Sequence, residues 1–99
     1  MKIALTATPS PARFAPILWR GDVAAAFRDA AQLGCQGVEL HLRRAEDVHL
    51  NGVRQLMAEY HLEVPTLGTG MAAAEDGLTL SDPDAAVRAR AVERASAHL

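Results

Sequence analysis

Apolar and polar positions alternate at the start of the chain. Ile3 and Leu5 are set against Ala4 and Thr6 within Lys2 to Thr8, and the run stops at Pro9. A period of two predicts a strand. Periodicity is then lost as far as Arg20, across three prolines and the apolar residues Phe14, Ile17, Leu18 and Trp19. This predicts a loop with apolar anchors, and a loop so long and apolar packs over something. Helical spacing begins after Gly21-Asp22, where Val23, Ala26, Phe27, Ala30 and Ala31 recur. Asp22 is the expected N-cap, and Gly34 is placed to end the helix in the left-handed conformation.

Between Gly37 and Leu42 the period returns to two. Val38, Leu40 and Leu42 share one face, and Glu39 and His41 share the other. Asn51 is the expected N-cap of a second helix ending near His61, with Val53, Leu56, Met57 and Tyr60 as its apolar stripe. Glu63 to Leu67 predicts a third strand, followed by Gly68-Thr69-Gly70. Met71 to Ser81 predicts an irregular loop around the turn signal Asp76-Gly77. Asp82-Pro83 starts a third helix, with proline where its missing N–H costs nothing. Val87, Ala91, Val92 and Ala95 line one side of it, and the pattern is still helical at Leu99.

Strands separated by helices, in the order β-α-β-α-β-α, predict right-handed crossovers and a parallel sheet. The expected fold class is α/β, in one domain over 1–99. No close internal repeat or low-complexity segment interrupts it.

Composition narrows the partners. The 99 residues are 49% hydrophobic and 22% charged, with a net charge of -2. A nucleic-acid surface needs clustered excess Lys and Arg, and here only Arg43-Arg44 are adjacent. No apolar run approaches the roughly 20 residues that span a bilayer. Ile3 to Ala7 is too short for a signal-peptide core, and Pro9 and Pro11 break it. The single cysteine, Cys35, cannot form an internal disulfide. These features predict a cytoplasmic protein with neither nucleic acid nor membrane as partner.

Gly37-Val38-Glu39-Leu40, after Leu33-Gly34-Cys35, resembles a signature of the xylose-isomerase-like TIM barrels. That superfamily includes sugar-phosphate isomerases/epimerases, inosose dehydratases and hydroxypyruvate isomerases. A second group of stretches is narrower: Leu67-Gly68-Thr69-Gly70, Asp76-Gly77-Leu78-Thr79-Leu80, Pro83 and Val92-Glu93-Arg94. These look like the branch that epimerises 5-keto-gluconate and related keto-sugar acids. Trp19-Arg20-Gly21-Asp22 fits the same branch, and the resemblance runs through the whole chain.

The resemblance implies a partial TIM barrel. A complete barrel takes eight β-α units and about 250 residues, and this chain would supply the first three units. It also implies a metal-dependent sugar isomerase/epimerase working beside the carbonyl of a keto-sugar or keto-sugar acid. In that family a divalent metal, often manganese, is held by Glu, Asp, His and Glu of later strands, and two of those carboxylates are the acid/base pair. On this reading the chain carries no catalytic residue and no metal ligand, and is inactive alone. Epimerisation needs two positioned bases and an electrophile for the enediolate. No early-strand set here replaces them.

The substrate-pocket candidates are Glu39, His41, Arg43, Gly68, Thr69 and Gly70. The resemblance turns Glu39 and His41 inward, near the strand ends where TIM-barrel sites sit. The alternative is a polar pair with a structural role. Two ligands on one strand do not make a metal site, and His49, His61 and His98 fall at unrelated spacings. Arg43 either grips a substrate carboxylate or phosphate with its planar fork, or is a solvated loop arginine. Gly68-Thr69-Gly70 either lets the backbone approach a ligand closely or makes a turn needing positive φ. Gly68-x-Gly70-x-x-Ala73 mimics a dinucleotide fingerprint. That motif needs a helix starting in the glycine run, and a loop is expected there. Phe14 and Trp19 either wall the barrel mouth or pin the first loop to the rim. Cys35 is a turn or core residue.

Two other classes remain open. The chain is a complementing or structural fragment if it assembles with a partner or with copies of itself. Two open sheet edges and an uncovered inner face, to which Ala4, Thr6, Pro65 and Leu67 contribute, predict self-association or aggregation. It is a small α/β binding module if it acts alone. A receiver-like domain wants acids at the ends of strands one and three, where this chain has Thr6-Ala7-Thr8 and Leu67-Gly68-Thr69, and no Walker A pattern is present.

Overall fold

The computed structural model describes residues 1–12 and 16–99. In chain order the elements are β1 (Ala4–Thr8), β2 (Trp19–Arg20), α1 (Val23–Gln32), β3 (Gly37–His41), a 3-10 turn (Ala45–Asp47), α2 (Leu50–Tyr60), β4 (Leu67–Gly68), α3 (Met71–Asp76) and α4 (Ala85–Ser96). The strands form one all-parallel sheet in the order β2-β1-β3-β4. The chain is therefore α/β.

Alternation decides which face is buried. Leu5 pairs with Val38 and Ala7 with Leu40, and this face meets the helices. Ala7, Val38, Leu40 and Leu42 form one buried cluster with Ala26, Phe27 and Ala30 of α1 and with Leu62. Val53, Leu56, Met57 and Tyr60 of α2 pack against the same cluster. Both helices thus lie on one side of the sheet. The opposite face carries Thr6 beside Glu39 and His41 beside Gly68.

Helix α1 begins and ends where its caps place it. The Asp22 carboxylate accepts from the Ala25 N–H at 3.0 Å, and Gly34 takes φ +75 just beyond the helix. Left-handed backbone at that position is what makes glycine useful there. The other two expected starts shift. Helix α2 is capped by His49 without a side-chain bond, and Asn51 sits inside its first turn. Helix α4 is capped by Asp84, whose carboxylate accepts from the Ala86 N–H at 2.8 Å. Asp82 instead accepts from the Asp84 N–H, which leaves Pro83 before the helix rather than in it.

Several expectations are corrected. The stretch read as a loop with apolar anchors holds β2, which pairs Trp19 with Ala7 and Arg20 with Thr8. One of the two expected open edges is therefore covered over part of its length. Leu18 is no anchor, being 67% exposed, whereas Ile17 is buried. Phe14 lies outside the described residues. The third strand shrinks to Leu67–Gly68, with an isolated bridge between Gly37 and Glu63. Pro65 lies between them and has no N–H for the ladder. Leu67 pairs with Leu40 and so faces the helices, not the inner face. Met71 to Asp76 is a helix rather than a loop, ended by Gly77 at φ +65. Val92 is 54% exposed, while Ala91 is buried.

The inner face is also not bare. Met71 forms a small buried cluster with Ala12 and Ile17. The buried Thr8 hydroxyl donates to the Met71 thioether at 3.6 Å. The loops after β1 and β4 thereby meet over the C-terminal end of the sheet. No helix among the described residues is long and apolar enough to cross a membrane.

Candidate functional site

The face opposite the helices holds one close pair of titratable side chains. Glu39 and His41 are two residues apart on β3, so both project from the same side. Glu39 Oε1 and His41 Nε2 are 2.8 Å apart, and both side chains are half-buried. An ionised carboxylate only accepts, so Nε2 carries the proton and donates. Gly68 lies beside His41 in the sheet. A Cβ at Gly68 would lie 2.6 Å from Cε1 and 2.8 Å from Cγ of the imidazole, with Nδ1 nearer still. The absence of a side chain at 68 is what lets the ring lie against β4.

The other candidates are placed differently. Neither Gly68 nor Gly70 has positive φ, and Gly70 sits at φ -58 as the N-cap of α3. The close approach expected of this glycine run therefore occurs at Gly68, toward a side chain of the protein itself. Thr69 is exposed, and its carbonyl accepts from the Ala72 N–H at 3.1 Å. A helix does begin in the glycine run, against expectation. It is only six residues long, too short to be the long helix that receives a pyrophosphate in a dinucleotide fold.

Arg43 turns to Asp76. Its Nε donates to both carboxylate oxygens, at 3.0 Å and 3.2 Å, and its Nη2 also pairs with Oδ1. Arg94 of α4 donates to Asp76 Oδ2 at 2.8 Å and to the Arg43 carbonyl at 3.0 Å. The three residues tie the end of β3, the end of α3 and α4 together. Arg43 is thus neither a solvated arginine nor an unoccupied anion fork. Sequence reading took Asp76 for a turn signal and quoted Arg94 only within a family resemblance, giving neither a site role. No local pattern marks them, because their partners stand 33 and 18 residues away.

The arginines hold the Asp76 carboxyl far below the ordinary carboxylate range, Arg43 first and Arg94 second. A depressed carboxyl stabilises the fold when ionised. That contribution is complete above the ordinary value of 3.8 and is withdrawn as pH falls below it. Wild-type stability is expected to drop on acidification through this range, and Asp76→Asn to lack that part of the drop. Urea unfolding of both proteins between neutral and strongly acid pH measures it. Parallel pH curves would refute the pairing.

No family model matches this chain, and no curated protein matches it significantly.

The remaining candidates have structural positions. The Trp19 indole N–H donates to Asp29 Oδ2 at 2.9 Å, and Trp19 packs against the main core. It pins the first loop to α1 and does not wall the inner face. That bond, and then the neighbouring Arg28, hold the Asp29 carboxyl below its ordinary value. Cys35 is half-buried against the main core. Among the described residues no group of three or more His, Cys, Asp or Glu is arranged to hold a metal ion. Glu39 and His41 supply two donors, which does not fit a metal site.

Proposed function

We propose that this chain is the N-terminal portion of a cytoplasmic TIM-barrel isomerase/epimerase that acts beside the carbonyl of a keto-sugar or keto-sugar acid. One observation carries the reading. Apart from β2, a two-residue strand that follows β1 with no helix between them, the strands β1, β3 and β4 lie side by side in chain order, all parallel, and α1 and α2 both cover one face. A doubly wound sheet reverses its strand order and has helices on both faces. A barrel adds strands in sequence with every helix outside. The polar side chains of Thr6, Glu39 and His41 on the opposite face agree with an interior that leads to a pocket. The manganese-type metal expected for the complete family member would be held by residues of later strands. The described residues of this chain do not form its site.

The test is to express the chain together with the coding sequence that follows it. Isomerisation beside a carbonyl exchanges a carbon-bound proton, so deuterium uptake from heavy water into keto-sugar acids is the readout. The extended product is expected to exchange with Mn²⁺, and the 99-residue chain alone not to. The reading fails if the extended product exchanges nothing, or if no later barrel strands are encoded after codon 99.

A second reading is favoured by the surface next to β4, the last strand of the sheet. Leu67, Leu80 and Val92 remain 43%, 65% and 54% exposed there. Apolar residues beside an unpaired edge invite another strand. Under this reading the chain associates with copies of itself or with a complementing fragment. Light scattering of the purified chain decides it, since a monomer at every concentration removes self-association.

A further inference from the structure

We propose that Glu39 and His41 are a proton-accepting dyad, with His41 Nδ1 as the base and Glu39 as the residue that orients it. The inference goes beyond the barrel reading, which places all acid/base work on later strands. Geometry carries it. The Glu39 carboxylate accepts from Nε2–H at 2.8 Å, which in the neutral imidazole leaves the lone pair on Nδ1. Nδ1 makes no hydrogen bond among the described residues, and it is not one of the buried atoms left without a partner. The His41 side chain keeps 20% of its surface exposed. His98 shows the opposite arrangement. Its Nδ1 bonds the Arg94 carbonyl at 2.8 Å, and its Nε2 is buried with no partner. His98 has no nitrogen to offer a substrate, whereas His41 has one.

Gly68 completes the arrangement. Here a single methyl at 68 would fall within 3 Å of three ring atoms, so the ring stays on Glu39 only while position 68 is glycine. The base lies near the C-terminal ends of parallel strands, where α/β proteins collect their functional groups. The acid it would deprotonate is a small polar molecule with an acidic O–H, or with a C–H that loses its proton without a metal, offered from the open side. A proton passes to Nδ1, and the imidazolium formed is stabilised by Glu39. The proton is returned from Nδ1 to the product.

The test needs neither metal nor keto-sugar, so it stands or falls apart from the barrel reading. Long-range proton-nitrogen NMR on the full chain reads the His41 tautomer directly. Nε2 is expected to carry the proton and Nδ1 to carry none. Base strength is read with 5-nitrobenzisoxazole. In that reaction the carbon-bound proton passes to the base, the C–H electron pair forms the nitrile, and the N–O bond breaks with its pair kept on oxygen, opening the ring to a cyanophenolate. His41→Gln is expected to slow it by about 10²-fold, the low end for a positioned general base. Glu39→Gln should let the tautomers mix and slow the reaction less. Gly68→Ala should do the same while changing neither partner. A wild-type Nδ1 that bears the proton overturns the proposal, whatever the variants do. So does a folded His41→Gln protein with unchanged rate.

Discussion

Phe27→Ala is expected to cost about 3–5 kcal/mol of unfolding free energy. Phe27 is fully buried, with 0% exposure. It stands on α1 among Ala26 and Ala30 of its own helix and Ala7, Val38 and Leu40 of the sheet. Ala26, Ala30 and Ala31 beside it on the helix are too short to fill the space it would leave. Truncation loses the transfer free energy of the ring and leaves a cavity as well. Small domains hold only about 5–15 kcal/mol in total, so much of the stability rests on this one ring. The melting temperature should fall by at least about 12 °C, at about 4–8 °C per kcal/mol for a chain of this size. Thermal unfolding followed by circular dichroism gives the answer. A loss below about 1 kcal/mol would mean that α1 does not pack on the sheet as described.

Gly37→Ala is expected to destabilise by about 1–3 kcal/mol, the usual cost of adding volume to a filled site. The added Cβ would lie 2.9 Å from the Glu63 carbonyl oxygen and 3.1 Å from Pro65 Cδ. Neither is the free end of a flexible side chain. Relief requires moving the backbone that leads into β4, and with it the Val38 N–H bond to Glu63 at 2.9 Å. Gly68 differs, because there the obstacle is an imidazole that can rotate away. Gly52 serves as the control. It lies inside α2, where an added Cβ meets only His49 Cβ at 3.7 Å. Gly52→Ala should therefore stabilise by about 0.5–1 kcal/mol, the helix-interior penalty of glycine. Denaturant unfolding of the three proteins measures both signs. If Gly37→Ala matched Gly52→Ala, the close approach of Glu63 to β3 would be wrong.

Much of the frame was legible before any coordinates. Period two marked β1 and β3, and it separated Val38, Leu40 and Leu42 from Glu39 and His41 correctly. Helical spacing marked α1, α2 and α4, and Asp22 and Gly34 bounded α1. The third helix of the chain was missed because six residues hold less than two turns of periodicity, and Asp76-Gly77 reads as a turn. Two signals were available there. Met71-Ala72-Ala73-Ala74-Glu75 are strong helix formers, and Gly77 is the left-handed cap that ends them. β2 carried no usable local signal at all, since two residues become a strand only by pairing with Ala7 and Thr8.

The candidate site divides in the same way. That Glu39 and His41 share a face follows from their spacing. That the ring needs an empty position at Gly68 does not, because the two lie 27 positions apart in the chain and meet only through the register of β3 and β4. Arg43, Asp76 and Arg94 looked unrelated in sequence and form one ion cluster in space. By itself the sequence determined α1, α2 and α4, the strands β1 and β3, the caps of α1 and the face each residue of β1 and β3 occupies. These depend on a residue and its neighbours within about one helical turn or one pleat. Tertiary structure alone decided the edge strand, the shortened β4, the use of Arg43 and the orientation of His41. Each of those depends on groups brought together from distant parts of the chain, whose identity no local pattern records.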